Sequence, residues 1–252
     1  MIGIKKEKIA GIPSLTVVHL DRENDSLPTV VYFHGITSAK EHNLPLAFLL
    51  AEQGIRVILP DSMYHGERES ADIQDVRYYL FNIVLQNVKE LEMINHELVS
   101  KNLILDGKIG VAGTSMGGIT TAAALSEYQW IKTAAILMGS PKLTEFAREL
   151  VEVYSKAGNL PLSQQEISQL YDTLATRDLS LQAEKLNDRP LLIWHGDRDS
   201  VVPFEHSYSF YQKVKKIYRT EENIHFIREK DRDHKVSRPA ILETVKWFVR
   251  HL

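Results

Sequence analysis

The chain contains no cysteine. That one absence removes thiolate nucleophiles, Cys-ligated zinc, iron–sulfur clusters and disulfide staples. No stretch approaches the roughly 18 uninterrupted apolar residues of a transmembrane helix, so no membrane span is expected. Positive charge is not in surplus either. With 30 Lys and Arg against 33 Asp and Glu the formal charge is −3, which leaves no broad basic field for nucleic acid or acidic lipid. The opening Met1-Ile-Gly-Ile-Lys-Lys-Glu-Lys8 puts charges where a signal peptide needs an apolar core, an arrangement that points to the cytoplasm. Internal repeats and low-complexity stretches are also missing.

What is present reads as a folded α/β protein. Of 252 residues, 44% are hydrophobic, and a chain of this size buries about 70 to 75% of its unfolded surface without a metal or disulfide. Short, nearly all-apolar runs at Val30–Phe33, Arg56–Leu59, Lys108–Val111, Ala134–Leu137, Leu191–Trp194 and Ile224–Ile227 suit strands buried on both faces of a parallel sheet. Between them, apolar residues recur at helical spacing: Leu80, Ile83, Val84, Val88, Leu91; Phe210, Val214, Ile217; and Ile241, Val245, Phe248, Leu252. Strand and helix in alternation predict a doubly wound, mostly parallel sheet in a single domain, residues 1–252. Lys8–Ile12 and Leu15–His19 predict an antiparallel pair at one edge. About 50 residues separate the strand ending at Met138 from the one starting at Pro190, where a simple crossover needs a dozen or more. Two amphipathic patterns lie there, Leu143 to Tyr154 and Ile167 to Leu174, separated by Gly158-Asn-Leu-Pro161. Residues 141–189 are therefore expected to form a helical cap over the carboxyl ends of the strands, where open α/β sheets bind ligands. The aromatic residues of this insertion suit either a lid or a homodimer contact.

Gly113-Thr-Ser115-Met-Gly117 matches G-x-S-x-G, the nucleophile elbow. Three fixed positions recur by chance about 0.1 times in a chain this long, so context matters more than the string. The motif follows a predicted strand and opens a helical stretch, Ile119–Leu125. Such a turn strains the backbone at Ser115, and flanking glycines remove the side chains that would collide. Its Oγ would then sit at a helix N-terminus that favours developing negative charge.

A serine hydroxyl needs a base oriented by a third group. The chain order that accompanies this elbow, Ser then Asp or Glu then His, leaves His195, His206, His225, His234 and His251. His225 falls in a predicted strand, His251 at the chain end, and His206 reads as a surface or capping residue. His234 lies between the last strand and the last helix, where the base belongs. The loop His195-Gly-Asp-Arg-Asp199-Ser-Val-Val-Pro203 offers Asp197 and Asp199 as the acid, and spacing does not choose between them. His42, Asp61 and His65 leave strand ends near the expected pocket as loop-shaping or substrate-contact residues. No metal is expected among them, because H-E-x-x-H and other ligand spacings are missing.

These motifs resemble the α/β-hydrolase superfamily over essentially the whole chain, and within it the prolyl-oligopeptidase-like and dienelactone-hydrolase-like branch of small bacterial esterases. The resemblance rests on His34-Gly-Ile-Thr-Ser-Ala-Lys-Glu-His-Asn43, on Gly113–Gly118, and on His195–Pro203, which fits H-G-x-x-D-x-x-V-P. It implies Asp199 as the acid. Members often carry a Gly shortly before the catalytic His, where this chain has Asp231-Arg-Asp-His234. Dienelactone hydrolases use Cys, so that activity is not expected here. The resemblance also implies an oxyanion hole from the Ile36 and Met116 N–H groups, with Gly35 permitting close approach. His34 reads as a structural residue bonding loop backbone, and His34, Gly35 and His65 are kept as candidate substrate contacts. The expected function is cofactor-free hydrolysis of a small-molecule ester through an acyl-enzyme. Peptide or amide hydrolysis is the alternative, and a non-catalytic ligand-binding role is a third reading.

Overall fold

The computed structural model describes residues 1–158 and 162–252. Eight strands form one sheet: β1 (Ile2–Ile9), β2 (Ile12–His19), β3 (Leu27–Phe33), β4 (Arg56–Pro60), β5 (Ile104–Thr114), β6 (Thr133–Leu137), β7 (Leu191–Gly196) and β8 (Ile224–Glu229). Their spatial order is β1-β2-β4-β3-β5-β6-β7-β8. Strands β3 to β8 pair in parallel, while β2 is antiparallel to both β1 and β4. This is the doubly wound, mostly parallel sheet expected from the alternation of strands and helices.

The apolar runs are continuous because both faces of each central strand are covered. Val31 and Phe33 of β3 belong to a core with Ile83, Val84 and Leu91 of α2 (Leu80–Ser100) and Ile119 of α3 (Met116–Glu127). Val30 and Tyr32 point the other way, into a core with Leu46 and Leu50 of α1 (Leu44–Glu52) and Val245 and Phe248 of α7 (Arg238–His251). Period-two alternation thus survives inside a run that looks uniform, and it divides the sheet's contacts between two helical layers.

Three details depart from the sequence reading. The first edge strand is Ile2–Ile9, and Ala10-Gly11, expected inside it, is the hairpin turn. Both turn residues have positive φ, +51° and +80°, as a tight two-residue hairpin demands. Helix α1 was not anticipated because Leu44-Pro-Leu-Ala-Phe-Leu-Leu50 is apolar on nearly every side and shows no polar face to set a period. Ile217, expected on the helix after β7, lies beyond α6 (Phe204–Val214) and is exposed.

The insertion after β6 holds α4 (Leu143–Lys156), α5 (Gln164–Ala175) and a 3-10 turn at Ala183–Leu186. Phe146 of α4 packs edge-on to Phe81 at 6.2 Å, and Arg148 stacks over Tyr171 of α5. Ser163 and Glu166 form a capping box that fixes the start of α5. Of the expected separator Gly158-Asn-Leu-Pro161, residues 159–161 lie outside the described residues. Among the described residues, no helix is long and apolar enough to cross a membrane.

Candidate active site

Strand β5 ends at Thr114 and α3 begins at Met116, so the whole reversal falls on Ser115. Its φ of +55° and ψ of −114° put a non-glycine residue in a region that side chains avoid. The turn closes because two neighbours lack side chains. A Cβ on Gly113 would lie 2.3 Å from the Gly117 carbonyl carbon, and one on Gly117 would lie 2.0 Å from the Phe33 oxygen. Ser115 N–H donates to Leu137 O at 2.9 Å, tying the elbow to β6.

Three strand ends converge at this turn. The Ser115 hydroxyl lies 2.9 Å from Nε2 of His234, which follows β8. His234 Nδ1 lies 2.6 Å from Oδ2 of Asp199, in the loop after β7. With Nδ1 facing a carboxylate, that nitrogen carries the ring proton and Nε2 is left to accept from Ser115. Asp199 is fully buried, and its Oδ1 accepts the Val201 and Val202 N–H groups at 2.9 Å each. Burial alone would raise its pKa. The hydrogen bonds from His195, His234 and the Val202 amide outweigh that and hold the carboxyl well below the usual carboxylate range.

The other candidates separate cleanly. Asp197, two residues before Asp199, pairs instead with Arg228 at 2.8 Å and caps the Asp231 N–H. His225 is exposed on β8 and His251 closes α7. His206 is buried rather than superficial, bonded to Ser140 Oγ at 2.9 Å and Glu149 Oε1 at 3.0 Å. Glu145, Glu149 and His206 bring three ligand atoms within 4.8 Å of one another. His206 already spends both ring nitrogens on Ser140 and Glu149, and Glu145 pairs with Lys142 at 3.0 Å. Asp231 replaces the Gly that often precedes the base and takes φ +58°, a conformation Asp tolerates better than most residues. The sequence reading missed His195 as a support: its Nε2 faces Asp199 Oδ2 at 3.1 Å and Val202 O at 3.0 Å, both acceptors, so it donates to the buried carboxylate. The His-Gly opening of its motif was the available signal.

Ser115 and His234 open into a cavity of about 690 Å³. Ile36, Leu46, Met138, Val236 and Ile241 give it apolar walls, Gly35 lines it, and His42 and Lys235 stand at its polar edge. Tyr32 contributes a phenol bonded to the Thr114 hydroxyl, with burial pushing its pKa up to about 12. No described residue of 141–189 lines this cavity. The expectation that the insertion shapes the pocket is therefore corrected: α1 and the start of α7 wall it. The Ile36 N–H has no acceptor among the described residues, and Met116 supplies the first N–H of α3, which has no intrahelical acceptor. Gly35 is not forced by crowding, since a Cβ there would meet its nearest atoms at an ordinary 3.5 and 3.6 Å.

Of the two roles open to His34 and His65, loop support and substrate contact, the structure shows the first: neither lines this cavity. His34 is fully buried, donating from Nδ1 to Gly35 O at 2.7 Å and accepting from Ser62 N–H at 3.0 Å. His65 is equally occupied with backbone, at Met63 O and the Thr37 N–H. Both hold loops. Burial pushes the His34 pKa from 6.5 down to about 4. Between those values the unfolded chain binds a proton that the folded chain refuses, so stability present above about pH 6.5 is lost on acidification, by up to about 3 kcal/mol. Denaturant titrations should show wild type losing about 2 to 3 kcal/mol more than His34→Gln between pH 7 and 4.5. Equal losses would remove His34 as the source.

The sequence profile of the prolyl oligopeptidase family matches residues 47–252. The chain is 42% identical over 255 residues to "Putative esterase YitV" of Bacillus subtilis (strain 168), covering all of both chains. It is 30% identical over 252 residues to "Esterase YjfP" of Escherichia coli (strain K12), again over the full length of each. Among solved structures, TT1662 from Thermus thermophilus superposes with a TM-score of 0.75 at 19% identity, covering 99% of this chain and 98% of that one.

Proposed function

The chain belongs to the prolyl oligopeptidase family, and from that premise we propose that it is a serine hydrolase that cleaves a small carboxylic ester, with Ser115, His234 and Asp199 as its triad. The observation that carries this reading is the unbroken hydrogen-bond chain from the Ser115 hydroxyl through His234 to buried Asp199, at the base of a cavity. His234 takes the Ser115 proton as Oγ attacks the ester carbonyl, and Asp199 holds the ring in the accepting tautomer. The Ile36 and Met116 N–H groups receive the developing oxyanion. His234 then returns the proton to the leaving alkoxide. Water, activated by the same imidazole, releases the acid from the acyl-enzyme.

The apolar walls suit an uncharged acyl chain. Both full-length relatives carry the name esterase, which favours ester over amide hydrolysis. Residues 1–252 form one hydrolase domain in this reading, with 141–189 as a helical insertion beside the site. Intact-mass measurement after exposure to a fluorophosphonate tests it directly. One adduct, mapped to Ser115, with burst turnover of p-nitrophenyl acetate is expected. A folded protein that takes no label and turns over no ester is a binder instead.

A further inference from the structure

We infer that His65 is a positioning residue for the oxyanion hole: its Nε2 pins the Thr37 amide and thereby fixes the peptide that presents the Ile36 N–H to Ser115. This rests on the reading of Ser115 as nucleophile. The loop after β3 has an unusual need to be held. Thr37 is β-branched and exposed, yet sits at φ +60°, where such residues are genuine outliers. Left alone, it would relax toward negative φ and rotate the preceding peptides.

Two histidines oppose that rotation. Gly35 O and Ile36 N–H belong to one peptide unit, and His34 Nδ1–H holds its carbonyl end. The next peptide ends in Thr37 N–H, which donates to His65 Nε2 at 3.0 Å. Ile36 is thus suspended between two pinned peptides. His65 is 3% exposed, and its Nδ1–H donates to Met63 O at 2.9 Å, so Nε2 is the acceptor by tautomer. Burial lowers its pKa and keeps the ring neutral. The loop that carries His65 is itself clamped to the oxyanion loop. Buried Asp61 accepts from the Lys40 backbone at 3.2 Å, from Lys40 Nζ at 2.5 Å and from the Glu67 N–H at 3.0 Å. Gly66 is obligatory there, since its Cβ would fall 2.4 Å from the Asp61 carboxylate. Two loops from different strands are thereby locked in register, with His65 as the contact nearest the Ile36 amide.

The test compares His65→Phe, which keeps a ring but offers no acceptor, with His65→Gln, whose amide oxygen can still receive the Thr37 N–H. Steady-state turnover of p-nitrophenyl butyrate and amide hydrogen exchange of a peptide spanning residues 34–38 are the readouts. Losing one oxyanion donor outright lowers kcat about 10²- to 10³-fold, so a misaimed one should cost His65→Phe about 10- to 100-fold. Its KM should stay within about threefold of wild type, and exchange in the loop should accelerate. His65→Gln should retain kcat within about fivefold and exchange at the wild-type rate. Wild-type kcat or unchanged exchange in folded His65→Phe overturns the inference. So does a folded His65→Gln with a loss above about 100-fold, which decides the matter even if the phenylalanine variant does not fold. Wild type that never labels at Ser115 sinks the functional reading instead, while the exchange comparison still shows whether His65 holds the loop.

Discussion

Alanine at position 115 should lower kcat on a simple ester by about 10⁴- to 10⁶-fold, the scale seen when a serine nucleophile is removed from an intact triad. Stability should barely move. The φ of +55° is enforced by β5, α3 and the facing glycines, not by the hydroxyl, and alanine has the same Cβ as serine. Only the hydrogen bond to His234 is lost, worth about 1 kcal/mol. Saturating turnover and a thermal melt on the same preparation check both halves. A folded Ser115→Ala protein within tenfold of wild-type kcat would exclude Ser115 as nucleophile.

The second large effect is expected from Asp199→Asn. The asparagine oxygen would stay with its two backbone donors, Val201 N–H and Val202 N–H, leaving the NH₂ to face His234 Nδ1 and His195 Nε2. A donor now confronts each ring. His234 escapes the clash by moving its proton to Nε2, the nitrogen that must accept from Ser115. The base is then present in the wrong tautomer, and kcat should fall about 10⁴-fold with little change in KM. Asp197→Asn is the control. That residue sits in the same loop but bonds Arg228, so kcat should stay within about twofold. Comparable losses in the two variants would mean that loop charge, rather than the tautomer, is what matters.

How much of this was legible in the sequence depends on how local each signal is. The central strands were, because burial on both faces demands uninterrupted apolar runs. The elbow was too, because its signature lies within five residues, although Gly117 also makes room for Phe33 of β3. Asp197 and Asp199 could not be told apart by spacing: the difference is which one meets His234, 35 residues away in sequence, and the family motif supplied what spacing lacked. His34 and His65 were each read as a loop-holding residue or a substrate contact, since they stand at strand ends, and spacing left the two roles open because whether a histidine faces a ligand or a backbone amide is settled by tertiary packing. Helix α1 was invisible for a related reason. Its solvent-facing positions begin with Pro45 and Phe48, which are themselves apolar, so no amphipathic rhythm marks the helix.

That α1 and the head of α7 wall the cavity, while no described residue of α4 or α5 does, separates two properties along the chain. In the proposed reading acyl selectivity is set by residues around 36 to 46 and 234 to 241, with Met138. The outward character of the molecule is written in the excursion from 141 to 189, whose exposed faces hold Val153 and Leu181. Substitution on those exposed faces is therefore expected to change what the molecule touches without altering a residue that lines the cavity.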